Sequence, residues 1–178
     1  KKCFAGRECD IKKTREIFEA AGNLAKLHII MRYELEHGIP EGTKTDEKYR
    51  RHNRELKKVR QFTRKVVPKG EFEFAFLKQF DQMYQWAEAA VEELDRSDYE
   101  KLYAEEMKKS GMIHGEYNYH NIIMTKEGIA TTNFEKFRRD IQVEDLYYFL
   151  RKIMEKHDWN ERLGRQVMES YERVLPVS

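Results

Sequence analysis

Ile113-His114-Gly115-Glu116-Tyr117-Asn118-Tyr119-His120-Asn121, followed twelve residues on by Asn133-Phe134-Glu135, is the stretch on which the reading of this chain turns. The hydrophobic period changes here. On either side, apolar residues recur every three to four positions, as amphipathic helices require. Within the stretch they come as short β-branched runs: Met112-Ile113, then Asn121-Ile122-Ile123-Met124, then Ile129-Ala130-Thr131 after a Lys126-Glu127-Gly128 turn. The spacing predicts a small hairpin, entered through a loop that carries His114, Glu116 and Asn121 and left at Asn133.

Working outward, residues 11–37 carry a helical stripe of Ile17, Ala20, Ala21, Leu24, Leu27, Met31 and Leu35, with Asp10 as the expected N-cap and Gly38 as the stop. A second helix is expected over 47–66, with a thin apolar line and basic flanks. Pro68-Lys69-Gly70 ends it. A third, over 71–95, has a long row of aromatics read as core, and Ser97-Asp98-Tyr99-Glu100 has the form of a capping box opening a shorter helix that ends near Gly111. After the hairpin, 142–157 returns to helix, and Asn160 is expected to cap a last one through Val167, Met168 and Tyr171. The fold class is therefore α+β: mainly α with a small β-hairpin.

The 178 residues suffice for a domain with a real core, and 40% apolar with 37% charged residues is a globular mixture. A net charge of +2 excludes a polycation, and no apolar run has the length of a membrane span. The two cysteines, Cys3 and Cys9, lie close enough in sequence for a disulfide. Reduced thiols in a cytoplasm are the preferred reading, because one short loop adds little.

Phosphoryl transfer needs a carboxylate to orient the attacking hydroxyl and oxygen ligands to hold Mg²⁺ on the nucleotide phosphates. Kinases place these groups as His-Arg-Asp-x4-Asn, a hairpin, and Asp-Phe-Gly. His114, Glu116, Asn121 and Asn133-Phe134 fall at the same offsets. The chain resembles the small-molecule kinase branch that includes aminoglycoside phosphotransferases and choline kinases. Within it, the chain is similar to the CotS-type spore-coat proteins, through Gly6-Arg7-Glu8-Cys9-Asp10, Leu24-Ala25-Lys26-Leu27-His28, Tyr117-Asn118-Tyr119-His120-Asn121, Phe134-Glu135-Lys136-Phe137-Arg138-Arg139-Asp140 and Val143-Glu144-Asp145-Leu146. The resemblance implies a kinase-like C-terminal lobe over 11–178, with its catalytic-loop hairpin at 112–134, behind a hinge-like segment at 1–10. The N-terminal β lobe, which supplies the phosphate-binding lysine in such kinases, is expected to be absent.

Two substitutions set the functional expectation. Glu116 stands at the base position, where the extra methylene moves the carboxylate by roughly an ångström, a displacement that can cost on the order of a hundredfold in rate. Asn133 stands at a metal position and lacks the charge that a hard cation favours, leaving Asn121 without an anionic neighbour. If residues 131–135 are extended, Glu135 shares a face with Asn133 and could replace the lost ligand. His114 is read as a structural residue more than a catalytic one, His120 as a packing or hydrogen-bonding residue, and Asp145 as the group that braces the loop from a helix start.

The expected function is that of a degenerate, pseudokinase-like protein acting by protein interaction, with other spore-coat proteins as the partners the resemblance implies. It needs no cofactor, and its place is the mother-cell cytoplasm or the spore coat. The alternative is an active small-molecule phosphotransferase using Mg-ATP. A second alternative is a helical adaptor that meets an anionic partner through the 47–66 helix, since Lys44 to Lys69 holds eleven basic and three acidic residues. Nucleic acid ranks last, because the net charge is low and no recognised binding module is present.

Overall fold

The computed structural model describes residues 5–32 and 38–177. It divides into two compact units, residues 1–42 with 103–178, and residues 43–102. In the first lie strand β1 (Gly6–Glu8), helix α1 (Thr14–Ile30), strands β2 (Met112–Ile113), β3 (Ile122–Thr125), β4 (Gly128–Thr131) and β5 (Arg138–Arg139), and helices α5 (Val143–Met154) and α6 (Glu161–Glu172). The second holds helices α2 (Thr45–Lys65) and α3 (Glu71–Arg96), and α4 (Tyr99–Lys108) begins in it.

The core of the first unit follows from the α1 stripe. Ile17, Ala20, Ala21, Leu24 and Ala25 are buried together with Leu146, Phe149 and Ile153 of α5 and Leu163, Val167 and Tyr171 of α6. The alanines let the helix backbones approach closely, and each buried Leu, Ile or Phe contributes roughly 1.5–3 kcal/mol. The α1 helix is shorter than its apolar pattern. Its N-cap is Lys13, not Asp10, and Asp10 Oδ1 instead accepts from Lys12 N. The helix ends at Ile30, and the rest of the expected stretch, 33–37, lies outside the described residues.

The segment expected to be a hinge carries a strand. β1 pairs antiparallel with β3, which pairs with β4, so the expected hairpin is two strands of a three-stranded sheet. β2 and β5 form a second, two-stranded sheet. Both additions are two or three residues long, too short to show a period in sequence. Cys9 N continues the β1 pairing by donating to Ile122 O, and its free thiol is buried and pushed up to about 12 by desolvation. Cys3, the other half of the disulfide considered, lies outside the described residues.

Glu16 fastens β1 to α1. Its carboxylate takes both terminal nitrogens of Arg7 (2.7 and 2.5 Å) and Asp10 N (3.0 Å), with Lys13 Nζ at 3.4 Å. These donors, Arg7 first, hold its pKa down to about 2 from an ordinary 4.5. A depressed carboxylate stabilises the fold above its unfolded pKa and loses that contribution as the pH falls through the folded value. Glu16→Gln should therefore lower stability by about 1–2 kcal/mol near neutral pH, a figure kept small because Arg7 is half exposed. The difference should vanish between about pH 4.5 and pH 2, as read by denaturant unfolding of both proteins across that range.

In the second unit α2 and α3 form an antiparallel hairpin, turned at Val66–Gly70. Arg50 pairs with Asp95, Asn53 with Glu88 and Arg60 with Asp81, while Lys57 lies over the Tyr84 ring. The basic residues of α2 are therefore not one solvated face, because Arg50, Lys57 and Arg60 are turned onto α3. The aromatics expected as core are mostly not buried. Phe80 and Val91 are, whereas Phe72, Phe74 and Met83 are more than half exposed. A two-helix seam covers one narrow stripe of each helix, and the Phe72–Phe76–Phe80–Tyr84 ladder runs obliquely out of it. Ser97 is the C-cap of α3 and does not form the expected capping box. Its Oγ accepts from Tyr99 N, and Glu100 is paired with Lys44.

No helix among the described residues is long and apolar enough to cross a membrane.

Candidate functional site

The loop between β2 and β3 is held from beneath by one carboxylate. Asp145, in the first turn of α5, accepts from His114 N (2.6 Å) through Oδ2 and from Gly115 N (2.9 Å) through Oδ1. Fully buried, it also has His28 Nε2 at 3.2 Å, and His28 Nδ1 lies 2.7 Å from Tyr171 Oη. The Asp145 carboxylate only accepts, so Nε2–H donates to it, and in the neutral imidazole Nδ1 then accepts from Tyr171 Oη. Two loop amides are thereby tied to α1, α5 and α6 through one chain of hydrogen bonds. The helix start adds its favourable dipole to the carboxylate.

His114 uses both ring nitrogens on backbone. Nε2 donates to Thr132 O (2.8 Å), Nδ1 accepts from Glu116 N (3.2 Å), and the ring lies 4.5 Å from that of Phe134. It joins the loop to the strand exit. Tyr117 fills the space below, fully buried, donating to Ala20 O (2.8 Å) and accepting from Asn23 Nδ2 (3.0 Å). Asn118 caps the short turn Tyr119–Asn121, and His120 Nδ1 lies 2.7 Å from Glu8 Oε2 on β1.

Glu116, Asn121 and Asn133 come together as their spacing suggests. Asn121 Nδ2 donates to Glu116 O (2.9 Å), and its Oδ1 lies 3.5 Å from Asn133 Nδ2. Asn133 sits in the left-handed region (φ 65°, ψ 61°), where Asn and Asp are the easiest residues to place after glycine. This bends the chain into the tight turn Phe134–Lys136. Residues 131–135 are consequently not extended, and the shared face expected for Asn133 and Glu135 does not form. The turn instead brings back Lys136, whose Nζ lies 3.0 Å from Glu116 Oε1.

Mg²⁺ asks for anionic oxygens at short range and near-octahedral geometry. The donors here are one carboxylate already paired with an ammonium and two side-chain amides facing each other. That set does not fit the ion. Among the described residues no cluster of three or more His, Cys, Asp or Glu is arranged to hold a metal.

Sequence reasoning missed His28, Tyr171, Asn23 and Lys136 as parts of the site. The first two had a visible signal: each is a polar group on the buried face of its helix, at the i+4 step from Leu24 and Val167. Lys136 had none, because its placement depends on the backbone of Asn133.

No family model matches the chain, and no curated protein matches it. Among solved structures, an aminoglycoside phosphotransferase from Alicyclobacillus acidocaldarius superposes with a TM-score of 0.81 at 15% identity, over 99% of this chain and 52% of that one. The chain thus spans about half the length of that phosphotransferase. At this identity the likeness is one of fold, and the fold of this chain is kinase-like, of the aminoglycoside phosphotransferase type.

Proposed function

We propose that the chain is a kinase-like lobe that acts by protein interaction and not by phosphoryl transfer, a pseudokinase role. The observation that carries this reading is the state of the loop. Its carboxylate, Glu116, is committed to Lys136, and the two amides at the metal positions, Asn121 and Asn133, are committed to each other. The brace beneath is complete, so the architecture is kept while the charges that phosphoryl transfer uses are neutralised. The finer setting, assembly of a spore coat, rests on the CotS-like segments, several of which have structural work here: Arg7 binds Glu16, and His28 binds Asp145.

A second reading, an active phosphotransferase on a hydroxylated small molecule, is favoured by the intact Asp145 brace and by the fold likeness to an aminoglycoside phosphotransferase. One experiment separates the two. In the organism that carries the gene, a Glu116→Gln allele should replace the wild type without loss of spore-coat assembly, because the interaction reading requires only the shape of the loop. Failure of that allele, with protein levels unchanged, would overturn the interaction reading and favour catalysis.

A further inference from the structure

We infer that Lys136 is a built-in counter-cation: its ammonium neutralises Glu116 at the base position and adds a positive charge to the loop whose metal positions are Asn121 and Asn133. The inference rests on the pseudokinase reading and names what keeps the site closed to a metal.

Three features converge. First, Lys136 Nζ is 3.0 Å from Glu116 Oε1, and no other ion pair to Glu116 is present among the described residues. Second, the backbone brings Lys136 up to the loop. The left-handed Asn133 starts the turn, and Lys136 O then presses on Gly115 so closely that a Cβ there would lie 2.3 Å from it. Lys136 is thereby fixed against the residue preceding Glu116. Third, the nearby Arg138 is already engaged by Asp140 and Glu144, which leaves Lys136 as the cation for Glu116.

A hard divalent ion entering beside Asn121 and Asn133 would find Glu116 already paired, and would face the like charge of Lys136. A carboxylate at 133 admits it weakly, and removal of the ammonium at 136 strengthens its binding. Asn133→Asp alone leaves Lys136 to compete for the new charge.

The probe is Mn²⁺ alone, a paramagnetic hard cation, titrated into the isotopically labelled chain without nucleotide. The wild type and Lys136→Met should show no selective broadening of the amide signals of residues 116–121 and 133–136 at millimolar Mn²⁺. Asn133→Asp should show weak selective broadening. Asn133→Asp with Lys136→Met should bind about two- to fivefold more tightly than Asn133→Asp, the size expected for removing one half-exposed like charge. Unchanged spectra away from these residues establish that each variant folds. Selective sub-millimolar broadening in the wild type would overturn the inference. So would a double variant that binds no better than Asn133→Asp, or no binding by either. The coat-assembly test of the interaction reading is independent of all of these outcomes.

Discussion

Asp145→Ala should lower the unfolding free energy by about 3–5 kcal/mol, the range seen when one member of a buried charged network is removed and its partners remain. Three donors lose their acceptor together: His114 N, Gly115 N and His28 Nε2. The His114 and His28 donors cannot turn to water, because both residues are fully buried. Denaturant unfolding measures the global loss. Hydrogen exchange at the Gly115 amide measures the local one and should accelerate beyond what the global change accounts for. Asp145→Asn keeps one acceptor oxygen but sets an NH₂ against a donor, so it should be milder than Ala and still well below wild type. A global loss under 1 kcal/mol for Asp145→Ala would mean that the loop is held by other contacts.

Gly115→Ala should cost about 2–5 kcal/mol, and it should open the Glu116–Lys136 pair. Two terms add: the positive φ of 81° disfavours any Cβ by roughly 1–2 kcal/mol, and the overlap with Lys136 O forces a backbone shift worth roughly 1–3 kcal/mol. Gly38→Ala isolates the first term, since Gly38 has φ 97° with nothing within 4 Å of the added carbon, and should cost about 1 kcal/mol. Equal losses at the two positions would show that the close approach of Lys136 to the loop contributes nothing.

Much of this was legible in the residues, for reasons that differ by element. The α1, α5 and α6 stripes were readable because each buries one continuous face, and apolar spacing records that directly. Asn160 was readable as a cap because its Oδ1 does accept from Leu163 N at 3.0 Å, a purely local interaction. The Asp145 brace came from the resemblance to the kinase-fold aspartate, supported by the place of a carboxylate at a helix start. What the sequence hid was non-local or conformational. β1 and β5 are too brief to carry a period. Phe72 and Met83 look like core residues, but their burial depends on how many helices surround α3, which no local pattern states. The link from Lys136 to Glu116 depends on one residue, Asn133, adopting a left-handed backbone. Asn permits that conformation without demanding it.

The chain of hydrogen bonds from Tyr171 through His28 to Asp145 also has a direction in time. His28 lies 117 residues before Asp145 and 143 before Tyr171. At the roughly 5–20 residues per second of synthesis, α1 waits roughly 7–30 s for its last partner. Through that interval Ile17 and Leu24 have no α6 to cover them, and the imidazole lacks the phenol that fixes its tautomer. The loop is translated well before the helix that completes its support. Its final geometry is thus acquired only after Tyr171 has left the ribosome, and a nascent chain stalled before α6 carries the loop in an unfinished form.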